Sequence, residues 1–150
     1  AASDVYKRQE MGLAEILDLY ISDWREGVGR DGPEVKLKID SLEGHRLPEP
    51  VATCIFRLIQ EGIWNAHKHA MANRVDVILH CTDDQVTLRI KDDGEGFRIP
   101  KYLFQFATAG RFGFIGMQER VHAVDGILSV WSEPGRGTEI QAHIPIWHSG

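Results

Sequence analysis

The chain has 150 residues, a length that suits one domain with one sizeable core. Its 43% hydrophobic and 26% charged residues are those of an ordinary globular protein, and a net charge of −5 excludes a general basic field for nucleic acid or an anionic membrane. A polyanionic ligand must therefore be held by a few local cations and backbone amides.

Residues Ala1–Gln9 fit no pattern that continues into the neighbouring sequence and read as a non-native leader. The periodic sequence then enters in mid-helix, as expected of a piece of something longer. Apolar residues at Leu13, Ile16, Leu17, Tyr20, Ile21 and Trp24 mark one helical face. "GVGRDGP" breaks that helix, and "EVKLKID" alternates Val35, Leu37 and Ile39 as a half-buried strand.

The clearest helix begins at about Pro50. Val51, Cys54, Ile55, Leu58, Ile59, Gly62, Ile63 and Ala66 recur at three and four residues and make one apolar face. Two alternating strands come next, Val75 to Cys81 and Val86 to Ile90, with the polar turn "TDDQ" between them predicting a hairpin. Arg98 to Arg111 has no strong pattern. A helix is expected from about Phe114 to Val124, stopping near "DG", and strands around Ile127–Trp131 and Glu139–Ile146 are joined by "EPGRGT". This order implies an α+β two-layer sandwich, a mixed sheet with helices on one face.

Cys54 and Cys81 lie inside apolar runs and read as small core residues of a reducing compartment. No apolar run approaches the roughly 20 residues of a membrane-spanning helix, and no secretory pattern is present, so a cytoplasmic location is expected. A zinc site from His67, His69, His80 and Cys81 is a poor reading, because each neighbouring pair points to different sides of its helix or strand. The acidic stretch "DDGEG" lacks the spacing and distal glutamate of a calcium loop.

Chemistry gathers at two other places. Arg57, Glu61, Asn65 and then Lys68 or His69 form a polar stripe along the long helix. A solvated face with charge pairs is the simpler account of such a stripe, but asparagine is a poor helix-interior residue without a local reason. The second place is a set of glycine-containing loops, "DDGEG" (Asp92–Gly96), "GRFGFIG" (Gly110–Gly116) and "PGRGT" (Pro134–Thr138). One such loop is weak evidence, since glycine marks turns everywhere. Their order behind an E-x-x-x-N helix is far more specific.

In that combination the chain resembles the ATP-binding catalytic domain of two-component sensor histidine kinases, within the wider group shared with gyrase, Hsp90 and MutL (the Bergerat fold). "FRLIQEGIWNAHKHA" is similar to the family's asparagine helix, and "DDGEGF" to its D-x-G-x-G adenine loop. "GFIGMQERV" and "DGILSVWSEPGRGTEIQAHIPI" are similar to the helix after the lid, the G-x-G-T turn and the closing strands. The spellings "QE…NA.KHA" and "GMQER" resemble the nitrate/nitrite-sensor-like subclass. The likeness covers about Leu13 to Trp147.

The resemblance implies Mg-ATP as ligand. Asp92 would accept a hydrogen bond from the adenine amino group, while Gly94 and Gly96 let the flat base approach the backbone. Asp93 and Glu95 have no assigned role and read as solvent-exposed. Asn65 would supply one oxygen to magnesium. Glu61 would orient a magnesium-bound water, polarise the phosphoacceptor or act as a base. Lys68 would neutralise phosphate charge, and His69 would contact phosphate or the lid. Phe97–Phe112 would form the lid, and Gly113 and Gly116 would let the next helix bring its N-terminus to the phosphates. The lid end departs from the subclass's G-H-G-L, reading Arg111-Phe112-Gly113-Phe114, with Arg111 offering a cation instead. Thr138, after Gly135 and Gly137, would join the polar network at the base or simply open an edge strand.

On this reading residues 10–28 end a dimerisation helix that carries the phosphoacceptor elsewhere, and residues 29–150 form the catalytic domain. Its partners would be the dimerisation domain of its own homodimeric parent and the receiver domain of a response regulator. An anti-sigma-factor-type serine/threonine kinase and a nonenzymatic nucleotide-binding module are the alternatives.

Overall fold

A computed structural model describes residues 12–42, 47–102, 104–108 and 112–146. The expected leader, Arg111 and Trp147 lie outside these residues. The elements run α1 (Leu13–Glu26), β1 (Glu34–Asp40), α2 (Glu49–Lys68), β2 (Arg74–Cys81), β3 (Gln85–Asp92), α3 (Phe104–Thr108), α4 (Phe112–Ala123), β4 (Ile127–Ser132) and β5 (Thr138–Pro145).

The strands make one five-stranded sheet in the order β1-β2-β3-β5-β4. β1 and β2 are parallel, with α2 in the connection between them, and the remaining pairs are antiparallel. The mixed α+β sheet is therefore as expected. Its inner face consists of alternate residues: Val75, Val77 and Leu79 of β2, Val86, Leu88 and Ile90 of β3, Ile140, Ala142 and Ile144 of β5, all buried. The intervening residues face outward, and Lys36, Asp76, Lys91, Glu139 and Trp131 fall in one register row across the whole sheet.

Each residue of the apolar face of α2, from Val51 to Ala66, is buried. Pro50 stands in the first turn, where its missing N–H removes no helical bond. At Gly62 a Cβ would come within 2.9 Å of Ile90 Cδ1, so glycine lets the helix lie close on β3. Burying side chains such as Ile55, Leu58 and Ile59 is worth about 1.5–3 kcal/mol each, and truncating one to alanine costs about 2–5 kcal/mol. The helix ends where the His69 and Ala70 N–H groups both donate to the Asn65 carbonyl and Met71 turns left-handed (φ 51°).

The apolar stripe of α1 is used inside the domain: Leu17, Ile21 and Trp24 are buried in the common core. Gly29 permits the adjoining turn to fold over the Trp24 indole, since a Cβ there would stand 1.9 Å from Nε1. The "TDDQ" turn joins β2 to β3 as expected, with Thr82 Oγ1 accepting from Asp84 and Gln85 N–H at 3.3 and 3.2 Å. In the segment without a sequence pattern, Phe106 of α3 packs with Phe97 and with Phe114 of α4, their ring centroids 6.2 and 5.5 Å away. Among the described residues no helix is long and apolar enough to cross a membrane.

Candidate nucleotide site

β3 delivers Asp92 to the end of the sheet as a buried side chain, and its carboxylate accepts the Gly94 N–H at 2.9 Å. That bond folds the chain into a tight turn immediately after the strand. The turn is pressed against the end of α2: Glu95 N–H donates to the Ala70 carbonyl at 2.8 Å, and a Cβ on Gly94 would stand 2.5 Å from the same oxygen. Gly96 adopts φ +66°, and a Cβ there would overlap the Glu133 carbonyl at 2.0 Å.

The β4–β5 turn closes on this loop. Gly135 N–H donates to the Glu95 carbonyl at 2.6 Å. Gly137, at φ +77°, leaves only 2.1 Å between its Cβ position and the Asp92 carbonyl oxygen. Thr138 is opposite Asp92 in register, and both are buried. Asp92, Gly94, Gly96, Gly137 and Thr138 therefore come together as a single cluster. Gly135 has open space around its Cβ position and needs glycine for its φ of +81° alone.

On the other flank, Glu61 and Asn65 are half-buried on α2. The first turn of α4 rests against them, where a Cβ on Gly113 would lie 2.4 Å from Glu61 Oε1 and 3.5 Å from Asn65 Nδ2. The Asn65 side-chain nitrogen is buried without a hydrogen-bond partner. Gly116, one turn further along α4, borders open space. Lys68 and His69 are exposed at the end of α2, the Lys68 ammonium 5.3 Å from the centre of the Trp64 ring. His67 meets the Trp24 ring edge-on at 5.4 Å and the Trp64 ring at 6.3 Å.

Two residues to which the sequence assigns no role have one here. Asp93 is exposed, yet its Oδ1 accepts from the Asn73 and Arg74 N–H groups at 2.8 and 2.9 Å and pins the loop to the start of β2. Ser132 Oγ accepts from Phe97 N–H and donates to the Gly137 carbonyl, at 2.9 and 2.8 Å. A polar residue ending an alternating strand beside a G-x-G turn is the only trace of Ser132 in the sequence.

The residues present fit a magnesium-nucleotide. The Asn65 amide has no hydrogen-bond partner among the described residues, and glycine at 113 sets no side chain against it. Among the described residues no group of three or more His, Cys, Asp and Glu side chains could hold a metal, so an ion here would need the phosphates for its remaining ligands. A shallow trough of about 530 Å³ lies elsewhere, on the open face of the sheet, bordered by Lys36, Lys38, Arg74, Arg89 and Lys91. Its arginines are engaged, Arg74 with Asp76 and Arg89 with Glu139. It shares no residue with the cluster around Asp92.

Residues 51–148 match the family of histidine kinase-, DNA gyrase B-, and HSP90-like ATPases. The chain is 34% identical over 138 residues to the signal transduction histidine-protein kinase/phosphatase DegS of Brevibacillus brevis, covering 91% of this chain and 33% of that protein. It is 29% identical to the sensor histidine kinase LiaS of Bacillus subtilis, over 91% of this chain and 34% of LiaS. Among solved structures, the histidine kinase domain of the blue-light activated histidine kinase from Erythrobacter litoralis EL346 superposes with a TM-score of 0.68 at 26% identity, over 91% of this chain and 62% of that one. The chain thus spans about a third of the length of these curated relatives. With the D-x-G-x-G loop, the asparagine helix and the G-x-G-T turn assembled at one end of a mixed sheet, the chain belongs to the histidine kinase-, DNA gyrase B- and HSP90-like ATPase family.

Proposed function

We propose that the chain is the ATP-binding catalytic domain of a sensor histidine kinase, passing the γ-phosphoryl of Mg-ATP to a histidine on a dimerisation domain of its homodimeric parent. A response regulator aspartate would then receive it. The observation that carries this reading is the position of α2: the turn that ends it touches the Asp92 loop through Ala70, and its C-terminal half touches the start of α4 through Glu61 and Asn65. One helix thereby links a base-binding end to a phosphate-binding end.

In this reading Asp92 accepts from the adenine amino group, and the glycines around it permit the close backbone contacts that hold the loop in place rather than opening space for the ring. Thr138 completes the polar end of that pocket. The backbone amides at the start of α4 face the phosphates, where a helix N-terminus favours negative charge, with Gly113 and Gly116 keeping side chains out of the way. Lys68 and Arg111 supply cations around the phosphates, and His69 contacts phosphate or the lid. Asn65 provides an oxygen for magnesium, which would neutralise and align the phosphates when bound. Glu61 orients a water or polarises the incoming imidazole. That imidazole nitrogen forms a bond to the γ-phosphorus as the bond to the β,γ-bridging oxygen breaks and ADP leaves.

The test has two parts. Titration with a fluorescent ATP analogue should show magnesium-dependent binding that is lost in Asp92→Asn, and whose magnesium dependence is lost in Asn65→Ala. Adding the dimerisation domain of a relative in trans, with ATP, should yield acid-labile phosphate on that domain. Binding unaffected by either substitution would remove the basis of the assignment; binding without any phosphotransfer would leave a nucleotide-binding regulatory module.

A further inference from the structure

The outer strands of the sheet, β1 and β4, are finished in different ways. Every residue that β1 turns to the open face is charged: Glu34, Lys36, Lys38 and Asp40. Laid antiparallel on its own copy and fully overlapped about Leu37, this strand would set Lys36 opposite Lys38 and Glu34 opposite Asp40. Like charges directly opposite one another are destabilising, so the β1 edge is protected against pairing. β4 reads ILSVWS, with no charge and no proline, and its ladder with β5 runs from Ile127 to Ser132 without a bulge. The devices that usually blunt an edge are missing from it. On its open face Ile127 is 68% exposed and Trp131 46%, and among the described residues no strand pairs with its free side.

The sequence of β4 also complements itself. Opposite residues of an antiparallel pair share a face, so only registers that match odd with odd and even with even positions keep the two faces in line. The register of this kind that overlaps most of β4 places Ser129 on a two-fold axis. It sets Trp131 opposite Ile127 of the second copy on the open face, and by symmetry does so twice. On the helix-covered face it sets half-buried Leu128 opposite half-buried Val130. Small, exposed Ser129 meets itself at the centre. The nearest acids, Asp125 and Glu133, lie beyond the ends of the strand and are exposed, where salt screens them.

We propose that β4 is a docking edge for a second copy of this chain: two β4 strands pair antiparallel about Ser129 and join two five-stranded sheets into one continuous sheet. The interface uses the same residues on both copies, so it closes at a dimer and leaves the charged β1 edges outside. A longer assembly would need β1 of one copy against β4 of another, which sets Trp131 and Ile127 against charged side chains. A strand of six residues spans only about 20 Å, too short a seam to bury the roughly 1,200 Å² of a stable interface. Association of the free chain is therefore weak. In the homodimeric parent proposed above, tethering raises the effective concentration to about the millimolar range and favours the paired state. The seam contains no residue assigned to the nucleotide site, so it can fail while that reading stands.

Sedimentation equilibrium from about 5 µM to about 1 mM should show a monomer–dimer equilibrium, with a Kd of about 10–500 µM. Ser129→Asp sets two carboxylates against each other on the axis and should weaken the dimer by about tenfold or more. Trp131→Ser should weaken it by about threefold to tenfold. The register is read from Ser129→Cys: opposite Cα atoms are about 4.5–5.5 Å apart, within reach of a disulfide, so glutathione disulfide should convert this variant to a covalent dimer. Lys38→Cys, on the charged edge, should remain mostly monomeric under the same treatment, and the native Cys54 and Cys81 are buried. Cysteine is close to serine in size, so that arm serves even if Ser129→Asp does not fold. A monomer at every concentration overturns the proposal, as does a dimer indifferent to Ser129→Asp or equal cross-linking at positions 38 and 129. A series of higher oligomers in place of a dimer would mean that β4 pairs with a different edge, and overturns it too.

Discussion

Glu61 and Gly113 are in contact across the pair of helices that flank the proposed phosphate end, and a Cβ on Gly113 would stand 2.4 Å from Glu61 Oε1. The atom it meets is the far end of a flexible side chain, so Gly113→Ala can be relieved by moving Glu61 rather than the backbone. Alanine is also a better helix former than glycine by up to about 1 kcal/mol. Thermal stability should therefore hold or rise slightly, while phosphotransfer falls because Glu61 has been displaced. A loss of stability of more than about 2 kcal/mol with normal turnover would contradict this account.

Gly137→Ala should behave in the opposite way. Its φ of +77° disfavours any L side chain by about 1–2 kcal/mol, and the added methyl would meet the Asp92 backbone oxygen at 2.1 Å. Neither problem has a flexible side chain to absorb it. Chemical denaturation should show a loss of at least about 2 kcal/mol, with ATP binding weakened as Asp92 is pushed aside. Gly116→Ala is the matched control for stability, since nothing lies within 4 Å of its Cβ position. That variant should be at least as stable as the parent, with a gain of up to about 1 kcal/mol from helix propensity, and should lose affinity only if phosphates occupy the space.

How much of the fold is legible in the sequence depends on periodicity. The apolar face of α2 can be read residue by residue because a 20-residue helix repeats its pattern often enough to exclude other accounts. The hairpin of β2 and β3 is legible for the same reason. The five-residue helix α3 is not, because it is barely longer than one turn and is held by the aromatic contacts of Phe106 with Phe97 and Phe114. Such contacts join segments that the sequence separates. The strand order β3-β5-β4 is likewise invisible, and with it the row that brings Ser132 to Thr138 and Asp92. Asp92 can be singled out by its motif, whereas Ser132 acts through hydrogen bonds that exist only after the strands pair.

Asp93 reads in the sequence as a solvated acid, yet it holds two backbone amides. Removing the acceptor in Asp93→Ala should cost about 1–2 kcal/mol, by analogy with a lost helix cap, because the Asn73 and Arg74 N–H groups lose their partner. Asp93→Asn retains an acceptor oxygen and should recover most of that loss. Urea denaturation of the pair of variants separates the two cases: equal losses would mean that the negative charge, and not the bonds, is what matters.

The buried thiols give a pH dependence with a definite sign. Burial raises the Cys54 thiol above its ordinary value of 9.0, against a smaller opposing pull from Arg120. Burial likewise raises Cys81, helped by the negative charge of Asp83. More than about a unit below the ordinary value both thiols are neutral whether the chain is folded or not, and they contribute no slope. As the pH rises past 9.0 the unfolded chain ionises first, so folding stability falls until the folded-state values are reached. The urea midpoint should therefore decline between about pH 8 and pH 10, and more gently in a Cys54→Ala, Cys81→Ala double variant after correction for its lower starting stability. Burial raises Tyr20 too, and its contribution enters only above its ordinary 10.0, so the lower half of that range isolates the cysteines. At about pH 8 a thiol reagent should modify the folded chain far more slowly than the denatured one, because the reactive thiolate is both scarce and covered. Rapid labelling of the native chain, or a slope unchanged by the double substitution, would show that these sulfurs are not held in the core as described.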